Sequence, residues 1–142
     1  MENKLKKGLE FLSEYDCVVH NYQKIDEQDK VFQKKAFIKN PLHKSLLMNT
    51  IDNHFRGCCM SFRAEFLNDI LPIPTNVIGH DYWIGALICK KGNVYYDLEP
   101  RLQSRWYPGS VSAKRKTSLL YKIKFRLNLY IELRKRLKGA KK

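Results

Sequence analysis

His80 and Asp81 stand side by side at the start of an otherwise largely apolar segment, VIGHDYWIGALICKKGNVYYD, at residues 77–97. An acid at the rim of a cleft could take a proton from a substrate hydroxyl, which is general base catalysis. The alternative is structural, because a carboxylate in the first turn of a helix is favoured by the helix dipole and can cap free backbone N–H groups. The sequence leaves both roles open for Asp81, and it favours an ordinary surface or hydrogen-bonded histidine at position 80.

A second candidate is Arg105, which lies with Trp106 and Tyr107 in the loop-like stretch QSRWYPGSVS. Its guanidinium group could bind a phosphate through two parallel hydrogen bonds. It could equally pack on a neighbouring aromatic ring as a cation–π pair. The pair His54 and Cys58 has a metal-ligand spacing, but no second pair accompanies it, so no zinc site is predicted there.

The charge of the chain is concentrated at one end. The 142 residues carry a net charge of +13; residues 114–142 hold twelve Lys/Arg and one acid, a net +11, whereas residues 1–113 hold fifteen and thirteen, a net +2. A nearly neutral body argues against a nucleic-acid-binding face, and the basic tail is where an anionic partner would bind. The four cysteines form no CxxC pair, and neither a membrane span nor a signal peptide is recognisable, which predicts a reduced, cytoplasmic chain.

The tail carries two apolar stripes at helical spacing, one on each side of the predicted helix. The first contains Leu120, Ile123, Leu127, Tyr130 and Ile131, and the second contains Tyr121, Phe125, Leu129 and Leu133. The cations between them include Lys122, Lys124, Arg126, Arg134, Lys135 and Arg136. One stripe is expected to pack on the protein and the other to lie on the anionic inner face of the cell membrane, as a peripheral contact. The alternative is a helix enclosed between two protein surfaces.

The order of elements indicates the α/β class, because strands alternate with helices. Hydrophobic spacing and breakers predict helices at 3–14, from the Asn40-Pro41 pair, from 63, at 80–91 and at 114–137. Strands are predicted at 17–23, at 57–62 and at NVYYDL, followed by an irregular loop from Glu99. Two or three strands are few for a self-sufficient sheet, so residues 1–113 are expected to be part of a domain, with 114–142 as a basic amphipathic C-terminal helix.

Several of these segments together resemble a known family. NKLKKGLEFL, RGCCMSFRAEFLNDILPIP, GHDYW, KKGNVYYDLEP and SRWYPGSVSA are similar, in this order, to the second half of family 2 glycosyltransferases of the bacterial cell-surface polysaccharide and rhamnosyltransferase-like type. The resemblance implies the C-terminal, acceptor-side portion of a GT-A fold, the fold of nucleotide-diphospho-sugar transferases. It also implies a separate chain that supplies the N-terminal, nucleotide-binding half.

The resemblance also implies roles for single residues. Asp81 would be the general base that deprotonates an acceptor hydroxyl, on a glycan or a lipid-linked acceptor, for inverting attack on a nucleotide-sugar. His80 and Trp83 would shape the acceptor pocket, although the apolar surroundings of Trp83 favour a core position. Arg105 would contact the diphosphate. A divalent cation, Mg²⁺ or Mn²⁺, is implied too, but the chain has no D-x-D motif, and Tyr107 stands where the family commonly has histidine.

Two readings without catalysis stay open beside the glycosyltransferase. The first is a vestigial or non-catalytic module that binds a membrane surface through the basic helix. The second is a nucleic-acid-binding module that uses the same helix, which the nearly neutral body and the lack of a recognisable nucleic-acid-binding fold disfavour.

Overall fold

The computed structural model describes residues 3–39, 45–107 and 118–139. These residues form a mixed α/β structure with one four-stranded sheet, which confirms the α/β class. The helices are α1 (Lys4–Leu12), α2 (Leu46–Ile51), α3 (Leu67–Ile70), α4 (His80–Lys91) and α5 (Leu119–Gly139); the strands are β1 (Cys17–Ile25), β2 (Val31–Gln33), β3 (Met60–Phe62) and β4 (Val94–Arg105). None of the described helices combines the length and the apolarity that a membrane crossing requires.

Strand β1 is the centre of the sheet. It pairs with β4 in parallel along its whole length, and on its other side it pairs antiparallel with β3 near its start and with β2 near its end. Residues Cys17 to Tyr22 are all buried. A strand covered on both faces is expected to be a nearly continuous apolar run, and CVV at its start fits that rule.

Strand β4 is longer than the sequence predicted. NVYYDL was expected to form the strand and residues from Glu99 an irregular loop, but the ladder with β1 continues from Val94 to Arg105. The register shifts near Asn21, which pairs with Pro100. Because proline has no N–H to donate, the ladder must be irregular there. The buried Asn21 amide donates to the carbonyl groups of Phe37 and Leu98, which keeps these polar groups satisfied and lets the pairing resume.

Other predicted boundaries need correction as well. The strand predicted at 57–62 begins with a 3₁₀ turn, Gly57–Cys59, and only Met60–Phe62 is extended. The helix predicted from residue 63 is a 3₁₀ turn, Ala64–Phe66, followed by the four-residue α3, because LPIP stops it soon after. The Asn40-Pro41 start lies outside the described residues. Helix α2 begins at Leu46, where the Ser45 side chain accepts a hydrogen bond from the Met48 N–H group.

Helices α4 and α5 join the sheet in one buried core. Trp83, Leu87 and Ile88 of α4 and Leu129 and Leu133 of α5 belong to the same apolar cluster as buried side chains of β1 and β4. The tail helix is therefore part of the packed structure over the residues described, with Leu129 and Leu133 of its second stripe buried and Phe125 partly buried. The first four residues of the predicted tail segment, 114–117, and its last three, 140–142, lie outside the described part of the chain.

Candidate functional site

A groove of about 590 Å³ opens at the N-terminal end of α4, and we call it the α4 groove. Its walls come from the segment before β3, the start of α4 and the first half of α5. Its main polar lining residues are Asn53, Arg56, His80, Asp81, Lys122 and Arg126. The groove thus brings together an acid, a histidine and three cations from three separate parts of the sequence.

Gly79 lets α5 approach the start of α4 closely. A Cβ atom at this position would lie 3.2 Å from the ring of Phe125 and 3.0 Å from the ring of Tyr82. These two rings pack edge to face with their centroids 5.4 Å apart. The contact fixes the turn of α5 that carries Lys122 and Arg126 beside the first turn of α4, which carries Asp81.

Asp81 has the position of a first-turn acid but not the hydrogen bond of a cap. The N-cap residue of α4 is Gly79, which has no side chain to cap the helix end. Asp81 is half-buried, and among the described residues its carboxylate has no hydrogen-bond or ion-pair partner. The helix dipole favours negative charge at this point. A carboxylate that lines a groove and has no partner there is available to a ligand, and this keeps general base chemistry open for Asp81.

The cations of the α4 groove also lack acidic partners. Arg56, Lys122 and Arg126 form no ion pair with a carboxylate in the described part of the chain. The guanidinium carbon of Arg56 lies 4.8 Å from the centre of the Tyr22 ring, a cation–π contact that holds the Arg56 side chain in place. Three unneutralised cations and one acid make the groove electropositive, so it favours anionic groups such as phosphates.

His80 lies at the exposed rim of the groove. A Cβ atom at Gly57 would be 3.3 Å from Nε2 of His80, so the imidazole ring packs against the backbone of the 3₁₀ turn that precedes β3. The structure thus brings His80 and Asp81 into one groove, while their acceptor-binding and catalytic roles stay predictions.

Trp83 is placed elsewhere. Its side chain is fully buried, its indole N–H donates to the Ile70 carbonyl oxygen at 2.9 Å, and the guanidinium carbon of Arg136 lies 5.3 Å from its ring centre. Arg136 also donates to the backbone carbonyl groups of Asp69, Leu71 and Pro72, at the end of α3. Trp83 therefore has a core position, and Arg136 is committed to the end of α3.

Arg105 also lies outside the α4 groove. It is the last residue of β4, and its guanidinium group donates to the carbonyl oxygens of Asp26 and Glu27 at 3.0 and 3.2 Å and pairs with the Asp29 carboxylate. These contacts hold the turn between β1 and β2. Among the described residues the Arg105 guanidinium group thus has these partners and no aromatic ring beneath it, and its phosphate contact stays a prediction.

The remaining tail cations differ in their surroundings. Lys135 forms an ion pair with Glu132, the Nζ to Oε1 distance being 2.8 Å, and the guanidinium carbon of Arg134 lies 5.9 Å from the Tyr130 ring centre. Lys124 is exposed and has no acidic partner in the described residues.

A buried charged cluster in the sheet was not foreseen from the sequence. Nδ1 of His20 lies 3.0 Å from Oδ2 of Asp97, and Nε of Arg101 lies 2.8 Å from the same oxygen. Since an ionised carboxylate only accepts hydrogen bonds, the Nδ1 atom carries a proton. His20 and Asp97 are each the fourth residue of their strand and are opposite each other in the register. Their common position in two apolar strands was the one sequence signal that could have predicted this contact.

Burial and hydrogen bonds together set the protonation of His20 and Asp97. Burial lowers the pKa of His20 below its ordinary value, although the hydrogen bond with Asp97 opposes the change. Burial alone would raise the pKa of Asp97, but hydrogen bonds from Arg101 and His20 outweigh it and hold that pKa below its usual range. The Nε2 atom of His20 is buried and has no hydrogen-bond partner in the described ranges. His20 and Asp97 are buried and only Arg101 reaches solvent, so a structural role fits the cluster better than catalysis.

The described residues do not form a divalent-cation site. Ranges 3–39, 45–107 and 118–139 hold no group of three His, Cys, Asp or Glu side chains arranged around a common point for a metal ion. In the α4 groove, Asp81 is accompanied by three cations that repel a metal ion. The set of side chains in the groove therefore does not fit the Mg²⁺ or Mn²⁺ ion that the resemblance implies.

No protein-family model, curated protein or solved structure matches this chain.

Proposed function

We propose that this chain forms the acceptor-side half of an inverting glycosyltransferase, built on the C-terminal portion of a GT-A fold, with Asp81 as general base. The observation that carries the proposal is the α4 groove, where a carboxylate lies among three cations and none of the four has an ion-pair partner within the described part of the chain. The order of the segments that resemble family 2 glycosyltransferases supports it, because Asp81 is the residue to which that resemblance assigns proton abstraction. The α/β sheet with β1 at its centre is compatible with such a fold.

In the proposed reaction, the Asp81 carboxylate takes the proton of an acceptor hydroxyl. The hydroxyl oxygen forms a bond to the anomeric carbon of a nucleotide-sugar, and the bond from that carbon to the diphosphate oxygen breaks. The nucleoside diphosphate leaves with the electron pair, and Asp81 later returns its proton to water. A positioned base contributes roughly 10²–10⁴-fold to the rate of such a step.

The cations of the groove have a defined part in this proposal. Negative charge grows on the diphosphate as it leaves, and nearby cations stabilise that charge. Arg56, Lys122 and Arg126 line the same groove as Asp81, whereas Arg105 is held by the turn between β1 and β2. We therefore assign the first phosphate contacts to those three groove residues, and a role for Arg105 requires that it release Asp29.

The nucleotide-binding half must come from outside the described residues. The donor nucleotide needs a binding surface, and any divalent cation needs carboxylate ligands that this groove does not provide. The acceptor is a glycan or a lipid-linked sugar that carries the reacting hydroxyl, and it reaches Asp81 past His80.

A second candidate is a non-catalytic module that binds a phosphate-bearing ligand without transferring a sugar. It is favoured by one observation: two of the four residues that the resemblance assigns to the site, Trp83 and Arg105, have structural partners instead. In this case the α4 groove binds an anion, and substitution of Asp81 has no effect on any transfer reaction.

The test is a transfer assay in a reconstituted system. The full chain is combined with a nucleotide-binding half, and labelled nucleotide-sugars are offered with glycan and lipid-linked acceptors. We expect a product whose anomeric configuration is inverted relative to the donor, with formation that depends on Asp81. Glu65→Gln is the matched control, because Glu65 is an exposed acid away from the groove. A product with retained configuration, or a rate that is the same without Asp81, would contradict the proposal.

A further inference from the structure

The outward face of α5 is an apolar stripe in a helix that is otherwise packed on the protein. On the inward face, Leu129 and Leu133 are buried. On the outward face Leu120 is 79% exposed and Leu127 is 56% exposed. The members of this outward stripe are Leu119, Leu120, Ile123, Leu127 and Ile131, and each is at least 41% exposed.

The spacing of these residues makes them one surface. Leu120, Ile123, Leu127 and Ile131 are three or four positions apart, so they follow one another along the same side of a helix. Single exposed apolar residues are common on proteins, but a contiguous apolar patch along a helix marks a contact surface. We call this surface the outer α5 face.

Cations accompany the outer α5 face. Helix α5 contains seven Lys/Arg and one acid, Glu132. Lys135 is paired with Glu132, and Arg136 is bound to carbonyl groups at the end of α3. Of the other five, which have no carboxylate partner among the described residues, Lys122 and Arg126 line the α4 groove, and Lys124, Arg134 and Lys138 are left for the outer α5 face.

We infer that the outer α5 face lies on an anionic lipid bilayer surface, with its apolar side chains at the boundary of the acyl chains and its cations at the headgroups. A second copy of this chain is a poor occupant, because each copy carries a net charge of +13 and the two would repel. Nucleic acid offers phosphates to the cations but little apolar surface to Ile123 and Leu127. An anionic bilayer offers both, which is how interfacial amphipathic helices bind.

Binding of the outer α5 face to a bilayer would also determine where the α4 groove lies relative to the lipid. Lys122 and Arg126 line the groove, and their neighbours Ile123 and Leu127 belong to the outer α5 face. The groove is then beside the bilayer surface, where a lipid-linked acceptor would enter. This last step alone rests on the proposed function, and binding of the bilayer does not need it.

The experiment is flotation of the full chain with vesicles of phosphatidylcholine, alone or mixed with phosphatidylglycerol. We expect binding to the mixed vesicles, weaker binding in high salt because screening shortens the range of the attraction, and little binding to phosphatidylcholine alone. Ile123→Ser with Leu127→Ser should weaken binding at least about tenfold. Lys124→Gln and Lys138→Gln should each weaken it about fivefold.

Matched controls test whether vesicle binding needs the outer α5 face in particular, and not merely any exposed apolar side chain or any cation. Leu9→Ser removes an apolar side chain of α1 that is 73% exposed, and Lys30→Gln removes an exposed cation of the β1–β2 turn; both should leave binding unchanged. Circular dichroism verifies that each variant is folded. Asp81→Asn should bind vesicles like the wild type, so failure of the catalytic proposal and failure of this one are distinguishable.

The inference would be overturned by equal binding to both vesicle types, by no binding to either, by equal loss of binding in the control variants, or by self-association without lipid that Ile123→Ser abolishes. The last would assign the outer α5 face to a second copy of the chain. Binding of an oligonucleotide that competes with the mixed vesicles, and that ignores the substitutions at Ile123 and Leu127, would likewise overturn it in favour of nucleic acid.

Discussion

Replacing Gly85 by alanine tests how α4 is held in the core. Gly85 is a buried residue of α4, and a Cβ atom there would lie 2.1, 2.3 and 2.5 Å from three carbons of the Phe55 ring. Carbon atoms in contact prefer separations of about 3.5–4.0 Å. Phe55 is itself buried. The ring or the helix must therefore move by roughly 1 Å or more to make room for one methyl group.

The size of the effect follows from two opposing contributions. Overpacking in a core costs about 1–3 kcal/mol of unfolding free energy, and an approach this close belongs at the upper end of that range. Alanine is more favourable than glycine inside a helix by about 1 kcal/mol, which offsets part of the cost. We expect a net loss of roughly 2 kcal/mol for Gly85→Ala, and a melting temperature lower by roughly 4–8 °C.

Urea unfolding followed by circular dichroism measures the loss, with Gly139→Ala as control. A Cβ atom at Gly139, the last residue of α5, would meet no atom within 4 Å, so this variant should be as stable as the wild type or slightly more stable. Phe55→Leu added to Gly85→Ala should recover part of the loss, because the smaller side chain relieves the contact and the two changes are not additive. Gly85→Ala with an unchanged or higher urea midpoint would refute the packing of Phe55 on α4.

Two further predictions concern charged groups. Because burial lowers the pKa of His20 below its ordinary 6.5, the unfolded chain binds more protons than the folded chain below that pH, so stability should fall on acidification from pH 7 to pH 5. His20→Leu should flatten that slope in urea titrations at each pH, and a slope that persists would show that another group causes it. In the α4 groove, Arg126→Gln should weaken the binding of inorganic pyrophosphate about tenfold or more, whereas Arg105→Gln should leave it unchanged in calorimetric titrations. The reverse ranking would place the phosphate site at the end of β4.

Part of this structure is readable from local sequence patterns. The β-branched run after Asp16 predicts β1, the apolar segment that ends before Gly92 predicts α4, and two stripes at helical spacing predict a helix with two apolar faces in the tail. These features were confirmed because each depends on neighbours within one or two turns of chain. The burial of Leu129 and Leu133 on one side, and the exposure of Leu120 on the other, then follow from where the helix packs.

The remainder depends on pairing between distant residues. The segment after Glu99 reads as a loop because Pro100 interrupts it, and only the register with β1 and the Asn21 side chain make it a strand. Likewise, the α4 groove combines Arg56, Asp81 and Arg126, whose positions in the sequence are far apart. No local pattern marks Arg56 as a neighbour of Asp81. None shows that the Arg105 guanidinium group binds Asp29, in a turn 76 residues earlier in the sequence.

The most direct test of the central claim is the turnover number of Asp81→Asn in the reconstituted transfer reaction. Asparagine keeps the size of the side chain but cannot accept the proton of the acceptor hydroxyl at neutral pH. If Asp81 is the general base, the turnover number falls about 10²–10⁴-fold, while the urea midpoint and vesicle binding stay at wild-type values and Glu65→Gln keeps full activity. A turnover number within a few-fold of the wild type would contradict the assignment and leave the α4 groove as a binding site without catalysis.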